Sequence, residues 1–479
     1  MGVQHSTCSP SSHASICRTS NCGLQDTTEQ EAISLDDFKI RQTIGKGTFG
    51  KVCIVQKHDT KRFFAMKYIT KLQCVESNAF SNFAREVDIL SCLNHPFLVN
   101  LWYAFQDDEY LFIVFDLLLG GDLRYHLGEC KRFSTQQTRE YFYEIALALD
   151  YLHRHCVIHR DVKPDNMLLD DQGHVHLSDF NTATVVSCET EQRATAITGT
   201  KAYMAPEIYS CALGMSPGYD FAVDWWSLGI ACYEFLAGGR PYAIQANTTH
   251  QEAFSILTSS MIPVPSNVDP ELMQILGMLL SIRPEKRTCN LQTLQAILAN
   301  KIDFGQIIRR QFQPEFIPPT EQLNCDPTFE LEETIIEANP LEHKRNRKNR
   351  RLSKILTGGP TIKHPLRRNE TNSKSTTCES GNDTKSSNFQ NAASSKMLNV
   401  PDDEKTQLSP VEDAIAQITA QFSAYNREKM LKDEEHRLRQ LEHELCLRPD
   451  DKDALTKRLG HVGIQDDAND TVRIPAITE

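Results

Sequence analysis

Long hydrophobic runs are missing from this sequence: no stretch of about 18 consecutive apolar residues occurs, so no segment reads as a membrane-spanning helix. Paired cysteines are missing too. The 15 cysteines stand singly, without CxxC spacing and without a secretory leader before them, which argues against a disulfide scaffold and for a reduced, intracellular setting. Positive charge is in deficit, with 51 Lys and Arg against 63 Asp and Glu for a net charge of -12. A nucleic-acid partner, which would call for a dominant basic face, is therefore not expected. What is present is a soluble globular average, 40% hydrophobic and 24% charged over 479 residues. That is enough chain for one large two-lobed domain with extensions.

Residues 1–35 are rich in Ser, Thr, Cys, Asn and Gln with few large apolar side chains, too little to offset the entropy of ordering, and read as a flexible leader. The pattern changes near Asp37. FKIRQTIGKGTFGKVCIVQ and RFFAMKYI are short β-branched and apolar runs divided by glycine and polar turns, which predicts an antiparallel sheet. A helix is expected from Asn78 to Leu93, with Phe83, Val87 and Leu90 on one face, as the one helix among those strands. Beyond Gly121 the periodicity becomes helical: Gln137 to His153 places Tyr141, Ile145, Leu149 and Leu152 together, and further helices are predicted at Ala222–Leu236, Leu272–Leu280 and Leu291–Leu298. The fold class expected is α+β, a small β-rich lobe with one key helix beside a larger, mainly helical lobe. Residues from Ile302 to about Glu337 are punctuated by proline and aromatic residues and should wrap a surface. A basic cluster and then a Ser/Asn/Thr/Lys-rich linker expected to be disordered occupy 341–410, and 411–479 is read as a charged helical segment, helix-favouring from Val411 to Leu447 with Ile415, Ile418, Phe422 and Tyr425 as a weak apolar stripe, followed by a disordered end. That last stretch reads either as a partner-binding helix or as an isolated, marginal one.

The chemistry is carried by spaced motifs. Gly45, Gly47 and Gly50 in IGKGTFGKV form a GxGxxGxV hairpin, whose missing side chains let backbone N–H groups approach phosphates. Lys67 in FAMK follows at a strand position suited to reach the α- and β-phosphates of ATP, and Glu86 in NFAREVDIL is the carboxylate expected to hold its ammonium. The strongest signal is His159-Arg160-Asp161-Val162-Lys163-Pro164-Asp165-Asn166. In that order Asp161 orients an incoming hydroxyl and accepts its proton, Lys163 neutralises the γ-phosphoryl oxygens, and Asn166 offers an oxygen to a metal ion. Asp179 in LSDFN is a second oxygen ligand for Mg²⁺, with Mn²⁺ as an alternative. Glu207 in MAPE is expected to pair with Arg287, and Asp224 in DWWSLG to bond the backbone of the catalytic loop; both are bracing roles.

Taken in order, these motifs make the region from Phe38 to Phe304 resemble eukaryotic protein kinases, and HPFLVNLWYAFQD with LLLGGDLRYHL resembles the AGC group. DFN in place of DFG, with KVCIVQKHDTK, GGDLRYHL and NCDPTFELEE, is similar to the YANK kinases, the serine/threonine-protein kinase 32 family. The resemblance implies a kinase domain over 36–304 and an AGC-like tail over 305–340 that crosses back over the small lobe. It implies transfer of the γ-phosphoryl group of ATP to Ser or Thr of protein substrates. The nucleotide site it implies comprises Ile44, Gly45, Gly47, Gly50, Val52, Ala65, Lys67, Glu86, Phe115, Asp116, Leu118, Asp122 and Leu168, with Phe115 guarding the back of the adenine pocket. Asp122, Asp165 and Glu234 stand where AGC relatives place carboxylates that meet basic substrate residues, while Arg124 in the same loop pulls the other way.

The sequence departs from the AGC pattern in three places. Asn181 replaces a glycine at a position expected to need positive φ, which asparagine tolerates best among the other residues. Ala196 stands where many AGC kinases carry a phosphorylated threonine, so Arg160 is expected to lack a phosphate partner. No AGC hydrophobic motif is recognisable near the end of the tail. Asn181 and the missing activation threonine favour a pseudokinase scaffold, the rival reading, whereas Lys67, Glu86, Asp161, Asn166 and Asp179 all remain; the missing hydrophobic motif implies regulation unlike that of other AGC kinases. Met1-Gly2-Val3-Gln4-His5-Ser6 fits the N-myristoylation pattern. One acyl chain anchors only marginally, so peripheral membrane attachment would need a second signal such as acylated Cys8. A monomer in the cytoplasm, or at the inner face of the plasma membrane, is the expected state.

Overall fold

The computed structural model describes residues 33–47, 50–187, 190, 192–263, 268–297, 303–319, 324 and 410–445. The chain divides into two units, residues 1–336 with 414–479 and residues 337–413; the contacts below belong to the first. Its small lobe is built on strands β1 (Phe38–Gly47), β2 (Gly50–Lys57), β3 (Phe63–Thr70), β4 (Leu101–Gln106) and β5 (Tyr110–Asp116). All pair antiparallel in the order β1-β2-β3-β5-β4. Alternation along β3 explains the sheet: Phe64, Met66 and Tyr68 are buried on one side while Phe63, Ala65 and Lys67 lie half-buried on the other. Register then puts Val52 opposite Lys67 and Phe115 opposite Ala65, so the half-buried face carries the lysine among apolar neighbours.

Two helices join the sheet, not one. Helix α1 (Lys71–Glu76) opens on a capping box in which the Thr70 hydroxyl accepts from Gln73 N, a signal too short to show as periodicity. Helix α2 (Phe80–Ser91) buries Phe83, Glu86, Val87 and Leu90 on one face. A carboxylate within that apolar stripe requires a partner, and Lys67 supplies it.

The large lobe contains α3 (Leu123–Cys130) and α4 (Thr135–Arg154), followed by strands β6 (Val157–Ile158), β7 (Met167–Leu169), β8 (Val175–Leu177) and β9 (Thr184–Val185). Helices α5 (Pro206–Ala212), α6 (Ala222–Ala237), α7 (His250–Ser259), α8 (Pro270–Leu279), α9 (Leu291–Ile297) and α10 (Phe304–Ile308) complete it. Helix α4 starts two residues before the predicted point because Ser134 and Gln137 form a capping box. Tyr141, Ile145, Leu149 and Leu152 all lie in the core. Helix α6 is buried almost all round and stops at Gly238, whose φ of 74° ends it in the left-handed region.

Residues 303–319 and Asn324 wrap the large lobe. Arg310 Nη1 donates to Asp170 Oδ2 at 3.0 Å and Ser134 Oγ to Glu315 Oε2 at 2.7 Å. Asn324 Nδ2 donates to the Leu119 carbonyl at 3.0 Å. A Cβ on Gly121, where φ is 78°, would sit 2.1 Å from the Asn324 carbonyl oxygen, so glycine is needed for this close approach. The later part of the expected tail lies outside the described residues.

The segment read as an isolated or partner-binding helix packs on its own small lobe. Helix α11 (Pro410–Gln421) leads to strand β10 (Tyr425–Asn426), and helix α12 (Arg427–Leu445) follows. Strand β10 adds to β4, pairing Tyr425 with Ala104 and Asn426 with Tyr103. Ile418 and Phe422 are buried, and the Phe422 ring lies 6.1 Å from that of Phe83 on α2. Lys71 Nζ donates to Thr419 Oγ1 at 2.7 Å. Arg427 lies over the Trp102 ring and donates to Asn94 Oδ1 at 2.5 Å. The buried Phe422, with Ile418 from the apolar stripe read in the sequence, joins this segment to the helix that carries Glu86.

Candidate active site

Between the lobes, β3 and α2 bring together the first pair. Lys67 Nζ lies 2.8 Å from Glu86 Oε2, with side-chain exposures of 12% and 4%. Burial favours the neutral amine, but the charges of Glu86 and Asp179 outweigh it and hold Lys67 above its ordinary pKa. Burial, reinforced by Asp179, pushes the Glu86 carboxyl upward against the pull of Lys67. The 2.8 Å contact is that of an ion pair, and one ammonium facing two carboxylates stays charged.

The loop between β6 and β7 carries the second group. Asp161 Oδ2 accepts from Lys163 Nζ at 2.7 Å, while Oδ1 accepts from Thr200 N at 2.8 Å and Thr200 Oγ1 at 2.7 Å. Burial acts to raise this carboxyl, but the bonds from Lys163 and Thr200 prevail and hold it below its ordinary value. Asn166 Nδ2 donates to the Asp161 carbonyl at 2.9 Å and to Oδ2 at 3.1 Å. Ser178 N and Oγ both donate to the Asn166 carbonyl, at 2.9 and 3.1 Å, which places the next residue, Asp179, beside Asn166. The loop is braced from below. Asp224, wholly buried on α6, accepts from His159 N at 2.9 Å and Arg160 N at 2.8 Å, and His153 Nε2 lies 2.9 Å from it. His159 packs edge-on against Phe180 with ring centroids 5.0 Å apart, and Leu90 and Leu101 are buried in the same core cluster. Glu207 and Arg287 form a two-pronged ion pair, with contacts of 2.5 and 3.0 Å.

Of the residues assigned to the nucleotide, Ile44, Val52, Ala65, Phe115, Leu118 and Leu168 are half-buried and partly open to solvent. Gly45 and Gly47 lie on β1, whose end pairs Gly47 with Gly50 at the start of β2; residues 48 and 49 fall outside the described residues. A Cβ on Gly50 would come within 2.5 Å of the Tyr68 carbonyl oxygen. Asp116 differs from the rest. Its carboxylate accepts from Asn100 N and Nδ2, both at 3.0 Å, and from Trp102 Nε1 at 2.5 Å, so the side chain is held by three bonds within the fold. Asp122 caps α3 by accepting from Tyr125 N at 2.8 Å, and burial together with the charge of Asp165 pushes its carboxyl upward.

The expected positive φ at Asn181 is not found. Asn181 lies inside a 3-10 turn, Phe180–Thr182, and the left-handed residue is Asp179, with φ 63°. The turn thus begins one residue after the strain. Arg160, also left-handed at φ 70°, spends its guanidinium on the Thr182 carbonyl at 2.6 Å and on Tyr219. Both partners are groups of the fold. Nothing in the sequence around Thr200 indicates that it would grip Asp161.

The protein kinase domain family matches residues 38–298, more than half of the chain. The chain therefore belongs to the protein kinase family and stands within it beside the serine/threonine-protein kinase 32 proteins and AGC-type relatives. It is 48% identical over 326 residues to serine/threonine-protein kinase 32B of Homo sapiens, covering 67% of this chain and 78% of that protein. To serine/threonine-protein kinase 32C of Homo sapiens it is 48% identical over 320 residues, 67% of this chain but 65% of the relative, just under two thirds of its length. The RAC family serine/threonine-protein kinase homolog of Dictyostelium discoideum is 35% identical over 312 residues, 64% of this chain and 68% of that protein. The chain is an ATP-dependent serine/threonine protein kinase whose family works with a divalent metal and acts on protein substrates.

Proposed function

We propose that Asp161 aims the acceptor hydroxyl of a serine or threonine and takes its proton, while Lys67 and Lys163 hold the phosphates of ATP. The observation that carries this is the carboxylate of Asp161. Thr200 fixes one oxygen and Lys163 the other, so the group is ionised and directed before any substrate arrives. Lys67, held by Glu86, is placed for the α- and β-phosphates, and the glycine hairpin of β1 and β2 closes over them. Val52, Ala65, Leu168, Ile44, Leu118 and Phe115 would enclose the adenine.

Asn166 and Asp179 each carry a hard oxygen donor, and Ser178, next to Asp179, bonds the Asn166 carbonyl. Among the described residues no group of three or more His, Cys, Asp or Glu could hold a metal ion alone. A donor pair that leaves the remaining positions to phosphate and water suits Mg²⁺, with Mn²⁺ as an alternative. The bound ion would spread the charge of the triphosphate during transfer. Asp161→Asn is expected to lower transfer to a generic protein acceptor by about 100-fold or more; equal rates for variant and wild type would reject the assignment.

The motif at Gly2 supports myristoylation, and acylation of Cys8 would supply the second anchor that a single chain needs. Both residues lie outside the described ones. On this reading the enzyme is a cytoplasmic monomer that reaches the inner face of the plasma membrane. Metabolic labelling with a myristate analogue should mark wild type and leave Gly2→Ala unmarked; equal marking would discard acylation.

A further inference from the structure

Resting on the kinase reading above, we propose that Arg124 is a built-in occupant of the carboxylate pocket formed by Glu234 and Asp165, which makes the enzyme indifferent to a substrate arginine at the position this pocket would read. Glu234, on α6, has a side chain only 7% exposed. Its two oxygens meet Arg124 as a fork, Nη1 to Oε1 at 3.0 Å and Nη2 to Oε2 at 3.1 Å. Tyr203 Oη donates to the same Oε2 at 2.5 Å, and Arg240 Nε lies 4.0 Å from Oε1. Arg124 Nε reaches Asp165 at 3.3 Å, and Nη2 also meets the Tyr203 hydroxyl. The pocket is thus shaped for a planar guanidinium, because it already holds one.

Its place in the fold puts it on the path of the acceptor peptide. Asp165 belongs to the turn that follows Lys163, and Tyr203 to the turn that follows Thr200; both Lys163 and Thr200 touch Asp161. An extended peptide presenting its hydroxyl to Asp161 advances about 3.3 Å per residue and so passes this cluster within a few residues of the acceptor. A substrate guanidinium arriving there would have to break the fork, displace Tyr203 and approach Arg240. Asp122 caps α3 through Tyr125 N and still feels the charge of Asp165.

The test uses the purified full chain and a peptide set with arginine replacing alanine singly at each position within about four residues of the acceptor serine. The arginine-to-alanine ratio of kcat/KM is read for wild type, Glu234→Gln, Arg124→Ala and the double variant. The wild-type and Glu234→Gln profiles should agree within about twofold. Arg124→Ala should gain arginine selection at one position by about tenfold, the scale of an exposed cation meeting a half-desolvated carboxylate, and the double variant should lose it. Arginine selection in wild type that Glu234→Gln abolishes would overturn the proposal, as would folded, active Arg124→Ala with an unchanged profile. If Arg124→Ala does not fold, the comparison of wild type with Glu234→Gln decides. Absence of transfer to every peptide and to a generic acceptor would instead strike the kinase reading.

Discussion

Phe422→Ala probes the coupling between the end of the chain and the cleft. The ring is buried against Phe83, one helical turn from Glu86 on α2. Truncating a well-packed phenylalanine costs about 3–5 kcal/mol. Here that is a ceiling, because the segment can lift off as a whole once its docking energy is gone. A loss of about 2–3 kcal/mol is expected, which for a lobe-sized domain lowers Tm by roughly 5–10 °C. With Phe83 uncovered, α2 holds Glu86 less firmly against Lys67, and kcat/KM for ATP should fall about tenfold, the effect of about 1.4 kcal/mol in the transition state. Differential scanning fluorimetry and steady-state kinetics on the full chain give both numbers. Unchanged Tm and unchanged kcat/KM would refute the coupling. A lowered Tm with unchanged kinetics would leave the packing intact as an idea and remove its link to catalysis.

Three further outcomes are expected. Thr200→Ala removes the hydroxyl bond that helps depress Asp161, so its pKa moves up. Because the carboxylate is the active form, the acid limb of kcat/KM should shift to higher pH while the basic limb stays; a superimposable pH profile would exclude it. The same depressed pKa means that the contribution of Asp161 to stability is complete above its unfolded value and is lost as pH falls through the folded one. Arg287→Ala strands the largely buried Glu207 and should cost about 3–5 kcal/mol in a urea titration, with less than 1 kcal/mol contradicting the bracing role. Phe115→Gly should admit ATP analogues enlarged on the base, since Phe115 faces Ala65 across β3 and β5; failure to accept them would contradict that placement.

What could be read in advance was what lies close together in the chain. The octet from His159 to Asn166 carries its chemistry within one loop, and the alternation along β3 gives the lysine its face. The pairing of Lys67 with Glu86 spans 19 residues and was legible because a buried ammonium demands a counter-charge. Contacts of longer reach left no local trace. Arg124 meets Glu234 across 110 positions, so the bare residues left its effect on substrate choice open. Strand β10 is two residues long, Tyr425 and Asn426, and its strand geometry comes from the β4 edge beside it. At Asn181 the general preference of asparagine for left-handed backbone was sound, but the hydrogen bonding of the 3-10 turn moved the strained residue to Asp179.

The seal that β10 places on β4 also sets an order of events at the ribosome. Ala104 waits for Tyr425, some 320 positions later, before its side of the sheet is closed. At about 5–20 residues per second, that interval lasts roughly half a minute, during which a row of unmatched amide and carbonyl groups faces solvent. A nascent chain in that condition is a template for pairing with another copy of itself. Truncations that end before residue 425 would keep the hazard permanently, and recombinant fragments cut there should associate through the naked edge.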